Sequence, residues 1–152
     1  MKHQWWSDSG GGGILAALWL ANPMTVALLR PGFVPNLDVQ KVWADVAGSE
    51  VANGNGYATG GQLLANRHAP YDPAADQFNL QADDTAWDGG KLTSSGPGAT
   101  FDAAFAVVYN NSGGKELWSL IDFEGTKSVQ AGVFTLDFAA TGVLYVATLP
   151  AV

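Results

Sequence analysis

Apolar and polar positions along the chain follow two rhythms. From Ile14 to Leu20 the run Ile14-Leu15-Ala16-Ala17-Leu18-Trp19-Leu20 is apolar throughout. Only Ile14 in it is β-branched, so the run predicts a two-turn helix. Asn22-Pro23 closes it, because the residue before proline is pushed out of the helical region. Downstream the rhythm becomes that of strands. Met24-Thr25-Val26-Ala27-Leu28-Leu29 reads as a buried strand ended by Arg30-Pro31-Gly32, and Phe78-Asn79-Leu80-Gln81-Ala82 alternates with the period of two expected of a half-buried strand. Phe101 to Tyr109 sets Phe101, Ala103, Phe105, Val107 and Tyr109 on one face. Asn110-Asn111-Ser112-Gly113-Gly114 then makes a hairpin connection. Leu117, Ser119, Ile121 and Phe123 alternate with Trp118, Leu120 and Asp122. Two mostly apolar faces predict a strand covered on both sides, by a second sheet or by a neighbouring subunit.

The segments between are shorter. Asn36 to Trp43 places apolar residues at 39, 42 and 43 and predicts a short helix behind an Asn or Asp cap. Gln62 to Arg67 can pair as a strand, and His68 to Ala74 is a loop fixed by two prolines. Asp83-Asp84 interrupts the pattern before Thr85-Ala86-Trp87. Asp88-Gly89-Gly90 is a turn and Ser94 to Gly98 a loop. Glu124-Gly125 is expected to turn the chain, Val133 to Phe138 to form a strand, Thr141-Gly142 a tight turn and Val143 to Leu149 a last strand stopped by Pro150. Short strands at regular spacing with glycine turns predict a mainly β fold, an antiparallel β-sandwich or barrel-like domain with one or two short N-terminal helices. It spans residues 14–152 as a single domain without internal repeats. Residues 1–13 form an arm in which Gly10 to Gly13 is a tether. Trp5 and Trp6 on that arm either fold back on their own domain or dock on a neighbouring subunit, since exposed indoles are costly in water.

Composition narrows the function classes. Charged residues make up only 14% of the 152, against 47% hydrophobic, and roughly 25% charged is ordinary. So little charge favours a surface covered by partners. The net charge is −7, and the seven basic residues are scattered singly. No positive surface is concentrated enough to displace counterions, so nucleic acid is not an expected partner. Ile14 to Leu20 is far short of the ~20 residues that span a bilayer, and its tryptophan- and glycine-rich leader makes a poor signal peptide; neither a membrane segment nor export is expected. The absence of cysteine removes disulfides, thiol catalysis and thiolate metal sites.

Few constellations could carry chemistry. Asp72, Asp76, Asp83, Asp84 and Asp88 form an acidic run, but a calcium loop needs six or more oxygens wrapped around the ion. Adjacent Asp83 and Asp84 on a strand would point to opposite faces. A solvated or partner-facing acidic surface is the better reading, with no metal and no cofactor. His68 with Asp72 could orient a general base, yet no Gly-x-Ser-x-Gly nucleophile accompanies it. No pair of carboxylates is singled out for glycoside hydrolysis, so no enzyme is expected. Six tryptophans raise a carbohydrate-binding module as an alternative, but Trp43, Trp87 and Trp118 sit in or beside apolar runs, which favours burial.

Gly54-Asn55-Gly56-Tyr57-Ala58-Thr59-Gly60-Gly61-Gln62-Leu63-Leu64 is the most idiosyncratic stretch. No P-loop lysine follows it, and Thr59 stands where a dinucleotide pattern needs its third glycine. Gly56, Tyr57, Gly60 and Gly61 are therefore expected to be mechanical. They reverse the chain with Tyr57 packed over the turn and feed Gln62-Leu63-Leu64 into the sheet.

Several motifs in order resemble a family of small virion structural proteins of tailed bacteriophages. After a short helix come the strand Met24 to Leu29, the segment Pro35-Asn36-Leu37-Asp38, Trp43-Ala44-Asp45-Val46, then Glu50-Val51 with the turn Gly56-Tyr57-Ala58-Thr59-Gly60-Gly61. Late in the chain stand Val107-Val108-Tyr109 and Leu120-Ile121-Asp122-Phe123. The likeness runs from about residue 14 to 148 and leaves out the tryptophan-rich arm. It implies a non-enzymatic virion protein, a capsid decoration or minor capsid protein whose partner is the phage major capsid protein. A tail or head-tail accessory role, with a tail protein as partner, is the runner-up. It implies assembly in the host cytoplasm and allows for a homo-oligomer.

Overall fold

The computed structural model describes residues 14–75, 77–139 and 143–147. The protein is mainly β, with antiparallel sheets and two short α-helices, as the strand rhythm predicts. Its elements are α1 (Ile14–Ala21), β1 (Met24–Leu29), α2 (Trp43–Val46) continuing into a 3₁₀ turn (Ala47–Ser49), β2 (Gln62–Leu63), β3 (Tyr71–Asp72), β4 (Gln77–Leu80), β5 (Thr85–Trp87), β6 (Ala99–Asn110), β7 (Leu117–Gly132), β8 (Phe134–Leu136) and β9 (Leu144–Ala147). Among the described residues no helix is long and apolar enough to cross a membrane. Residues 1–13, which carry Trp5 and Trp6, lie outside the described residues, as do Asp76 and the predicted Thr141-Gly142 turn. Backbone contacts group the chain into two compact units.

The first unit takes in α1, the segment Leu64–Asp84 and the chain from Asp137 onward. Its sheet has the order β3-β4-β9. α1 buries Ala16 and Trp19, one turn apart, while Leu15, Leu18 and Leu20 stay 41–46% exposed. The Trp19 indole donates to the Gln81 carbonyl at 3.2 Å. Arg67 closes the other end of the helix. Its guanidinium donates to the carbonyls of Trp19 (3.0 Å), Leu20 (3.3 Å) and Asn22 (2.8 Å), and to its own neighbour Leu64 (2.9 Å). Helix C-termini leave carbonyls without partners, and a cation there also meets the negative end of the helix dipole.

The second unit comprises Met24–Leu63 and Thr85–Leu136. Its main sheet has the order β2-β1-β6-β7, all antiparallel, and β5 pairs with β8. β1 and β6 are the central strands, so all six residues of β1 are buried and β6 is buried on both faces from Ala106 to Tyr109. One side of the sheet packs Ala27, Leu29, Val107 and Tyr109 against Phe33 and Val46, with Phe33 and Phe105 edge to face at 5.5 Å. Trp43 stacks on Tyr109 at 4.6 Å with the rings 12° apart.

Four local expectations are corrected. The helix expected over Asn36 to Trp43 forms instead at Trp43–Val46, because Asp45 Oδ2 reaches back to accept the N–H groups of Lys41 (2.8 Å) and Val42 (3.0 Å). Ahead of it, Gln40 Oε1 accepts the Asn36 N–H at 2.7 Å and holds a turn. The strand expected from Gln62 to Arg67 stops at Leu63, as Asn66 enters positive φ and Arg67 turns to the carbonyls around α1. Glu124-Gly125 does not reverse the chain. Phe105 pairs with Asp122 and Ala103 with Lys127, so two steps on β6 span five on β7, and the excess is absorbed as a bulge. Asp122 Oδ1 accepts the Glu124 N–H at 2.8 Å there, and Glu124 and Gly125 take positive φ. Finally, no described second sheet covers β7 on both faces: Leu117 to Ile121 and Phe123 are half-buried on an edge strand.

Candidate functional site: a buttressed turn and an apolar groove

Asn55-Gly56 forms the tip of the glycine-rich turn. Both residues have positive φ (50° and 85°), and Gly54 and Tyr57 exchange backbone hydrogen bonds of 2.8 and 3.0 Å. This is the geometry in which Asn-Gly is favoured at a tight hairpin turn. Tyr57 then dives inward and is almost wholly buried. Its hydroxyl accepts the Leu28 N–H at 3.1 Å and donates to Glu50 Oε1 at 2.8 Å. The same Glu50 oxygen accepts the Gly60 N–H at 2.6 Å, and the Gly60 carbonyl accepts the Tyr109 hydroxyl at 2.8 Å. Burial, reinforced by the Glu50 charge, raises the Tyr57 phenol far above its ordinary value. The same two causes, burial first, raise Tyr109. Both phenols are therefore neutral fixtures, and their hydrogen bonds tie the turn to β1 and β6.

Of the turn residues singled out in the sequence, Tyr57 and Gly60 meet in this network, and Gly61 donates its N–H to the Ala58 carbonyl at 3.0 Å. Gly61 lies on the β1 backbone, where a Cβ would fall inside the Val26 carbonyl. Gly56 packs against Ala99 and Gly89, with a Cβ reaching 2.8 Å from the Ala99 Cα. Glu50 was missed. The signal was its isolation: between Asp45 and Asp72 it is the sole acidic residue, set beside a glycine-rich turn.

The described acids of the Asp72 to Asp88 run, Asp72, Asp83, Asp84 and Asp88, are spent locally. Asp72 accepts the Ala74 and Ala75 N–H groups, Asp83 pairs with the Asn66 amide, and Asp84 accepts the Phe138 N–H. Asp88 accepts the N–H groups of Gly90 and Leu92, which lower its carboxyl below the usual range. Among the described residues no three acids or histidines converge as metal ligands. His68 bonds to Gln81 through its backbone, and Asp72 faces its own turn. Trp87, offered as a sugar platform, is buried beside Tyr57 and Phe134.

What the second unit does offer solvent is apolar. A groove of about 310 Å³ runs between the segment after β1 and the start of β7, lined by Phe33, Leu37, Lys41, Val107, Trp118 and Leu120. Leu37 on its lining, and Val34 and Val39 in the same segment, are 66–77% exposed. Val39 reads in the sequence as part of a short helix, and Val34 and Leu37 follow no helical or strand period, so the pattern did not mark the three as exposed. Gln40, Lys41 and Ser119 are the polar members of a lining that is otherwise apolar, an arrangement suited to an apolar contact. Comparison with known proteins returns no matching family model, no matching characterised relative and no matching solved structure.

Proposed function

We propose that this chain is a non-enzymatic structural component of a tailed-phage virion, a capsid decoration or minor capsid protein that binds the assembled head. The observation that carries the reading is the exposure of Val34, Leu37 and Val39 in a segment whose Leu37 lines the groove. Single apolar side chains on a surface are ordinary, but three exposed within one short segment, on a chain with 14% charged residues, call for a partner. The charge-free helix α1, with Leu15, Leu18 and Leu20 exposed, supports the same reading. The ordered motifs that resemble phage virion proteins name the class of assembly. Tail attachment uses the same kind of surface and is the alternative.

Mass spectrometry of purified virions, with copy number set against the major capsid protein, tests this. Hundreds of copies per particle are expected for a decoration protein. A few copies would move it to the tail or portal vertex, and absence from virions would overturn the proposal. Val34→Asp with Leu37→Asp in the full chain should abolish incorporation while leaving the melting temperature unchanged, since both side chains are already in water.

A further inference from the structure

Among the described residues, the outer edge of β7 is unpaired along part of its length. Its start is occupied: Leu117 donates its N–H to the Lys41 carbonyl at 2.9 Å, and Val42 bridges to Glu116. From Ser119 to the bulge at Glu124, no described strand lies beside it. An open edge is a template for another strand, and proteins ordinarily guard it with lysine, proline or a bulge. Ser119-Leu120-Ile121 itself carries no lysine, proline or bulge; bulges lie at Trp118 before it and at Glu124 after it, with Asp122 as the one charge between. Successive strand side chains face opposite ways, so Leu120 lines the groove on one face while Ile121 and Phe123 stand on the other. Any added strand must therefore be apolar on both faces.

One segment outside the described residues meets that need. Trp5-Trp6 is the sole pair of adjacent aromatic residues in the chain, and an extended backbone sends neighbouring side chains to opposite faces. Residues 7–13, between Trp6 and α1, span up to about 25 Å when extended. α1 itself carries no charge to oppose the approach of another molecule. We propose that residues 4–7 of one molecule add as a short strand to the Ser119–Phe123 edge of a second copy. One indole enters the groove at Phe33, Leu37 and Leu120, and the other covers Ile121. Backbone bonds supply the pairing and the two indoles its register. The inference concerns the purified chain and does not rest on the virion reading.

Sedimentation of the full chain over a concentration series tests it, combined with amide exchange along β7. The wild type is expected to self-associate with slow exchange from Ser119 to Phe123. Trp5→Ser with Trp6→Ser should raise the dissociation constant at least tenfold and speed that exchange, with an unchanged melting temperature. Ser119→Lys should weaken association to the same degree through the edge. Mixing these two variants, one with an intact edge and one with an intact arm, should restore a mixed dimer. A monomeric wild type overturns the proposal: if its Ser119–Phe123 protection is lost in the tryptophan variant, the arm docks on its own molecule. Association insensitive to either variant overturns it too and moves the contact to another surface.

Discussion

Gly61 sits on the backbone of β1 so closely that a Cβ on it would lie 2.7 Å from both the Ala27 Cα and the Val26 carbonyl carbon. No flexible side chain intervenes, so backbone would have to move. Its neighbour Gly60 has open space by comparison, with the nearest atom to a built Cβ being the Tyr109 hydroxyl at 3.7 Å. The two glycines share positive φ, 92° and 77°, but answer to different constraints. Gly60→Ala should cost about 1–2 kcal/mol, the penalty of left-handed backbone for a residue with a Cβ. Gly61→Ala adds overpacking against backbone and should cost upwards of ~3 kcal/mol. Urea titration of the two variants checks this, and equal losses would refute the close approach.

The Tyr57 phenol links stability to alkaline pH. Its folded-state value lies above the ordinary one, so the native protein holds this proton more tightly than the unfolded chain does. The resulting stability is complete below about pH 10 and falls as pH rises beyond it, with Tyr109 acting in the same direction. Tyr57→Phe should lose about 1–3 kcal/mol at pH 8, because the Leu28 N–H and Glu50 lose their partner. It should then decline less steeply than the wild type between pH 9 and 11. A wild-type stability that is flat across that interval would contradict the argument.

The legible parts of this fold were those set by local pattern. β1 matched its apolar run from Met24 to Leu29, and α1 followed its helix formers to the residue before Asn22. The unread parts depend on partners distant in sequence. Glu124-Gly125 looks like a turn by composition, but continued pairing with β6 on both sides converts it into a bulge. Asp45 fixes the start of α2 from inside the helix, where a search for a cap ahead of it finds only Val42. In the candidate site, the turn around Gly60 and Gly61 was legible from the glycines clustered around Tyr57. The exposure of Val34, Leu37 and Val39 was not, because Val39 reads as one face of a helix where the chain instead forms a turn.

Among the described residues, the buried side-chain atoms Thr25 Oγ1 and Trp87 Nε1 have no hydrogen-bond partner. Replacing an orphaned donor or acceptor by an apolar group of the same shape removes a desolvation cost and forfeits no bond. Thr25→Val keeps the β-branched shape in a central strand and should stabilise by about 0.5–1.5 kcal/mol. Trp87→Phe should fare worse than Thr25→Val, since it leaves a cavity among Tyr57, Phe101 and Phe134. Chemical denaturation ranks the two. A destabilised Thr25→Val would show that the hydroxyl has a partner after all.

Arg67 holds the first unit together in a way that its exposed-loop sequence context, Ala65-Asn66-Arg67-His68, does not announce. One planar guanidinium meets carbonyls from Trp19, Leu20, Asn22 and Leu64. These include the last carbonyls of α1, which an eight-residue helix cannot satisfy internally. A lysine reaches with one ammonium and cannot present the same fork, so Arg67→Lys is not conservative here. Arg67→Met keeps the stem but removes every donor and should cost about 2–3 kcal/mol. Arg67→Lys should recover less than half of that. Amide exchange separates this from a general loss of stability: protection should fall in α1 and β4 while β1 and β6 keep theirs. Uniform loss in all four elements would mean that Arg67 acts on global stability and not on the end of one helix.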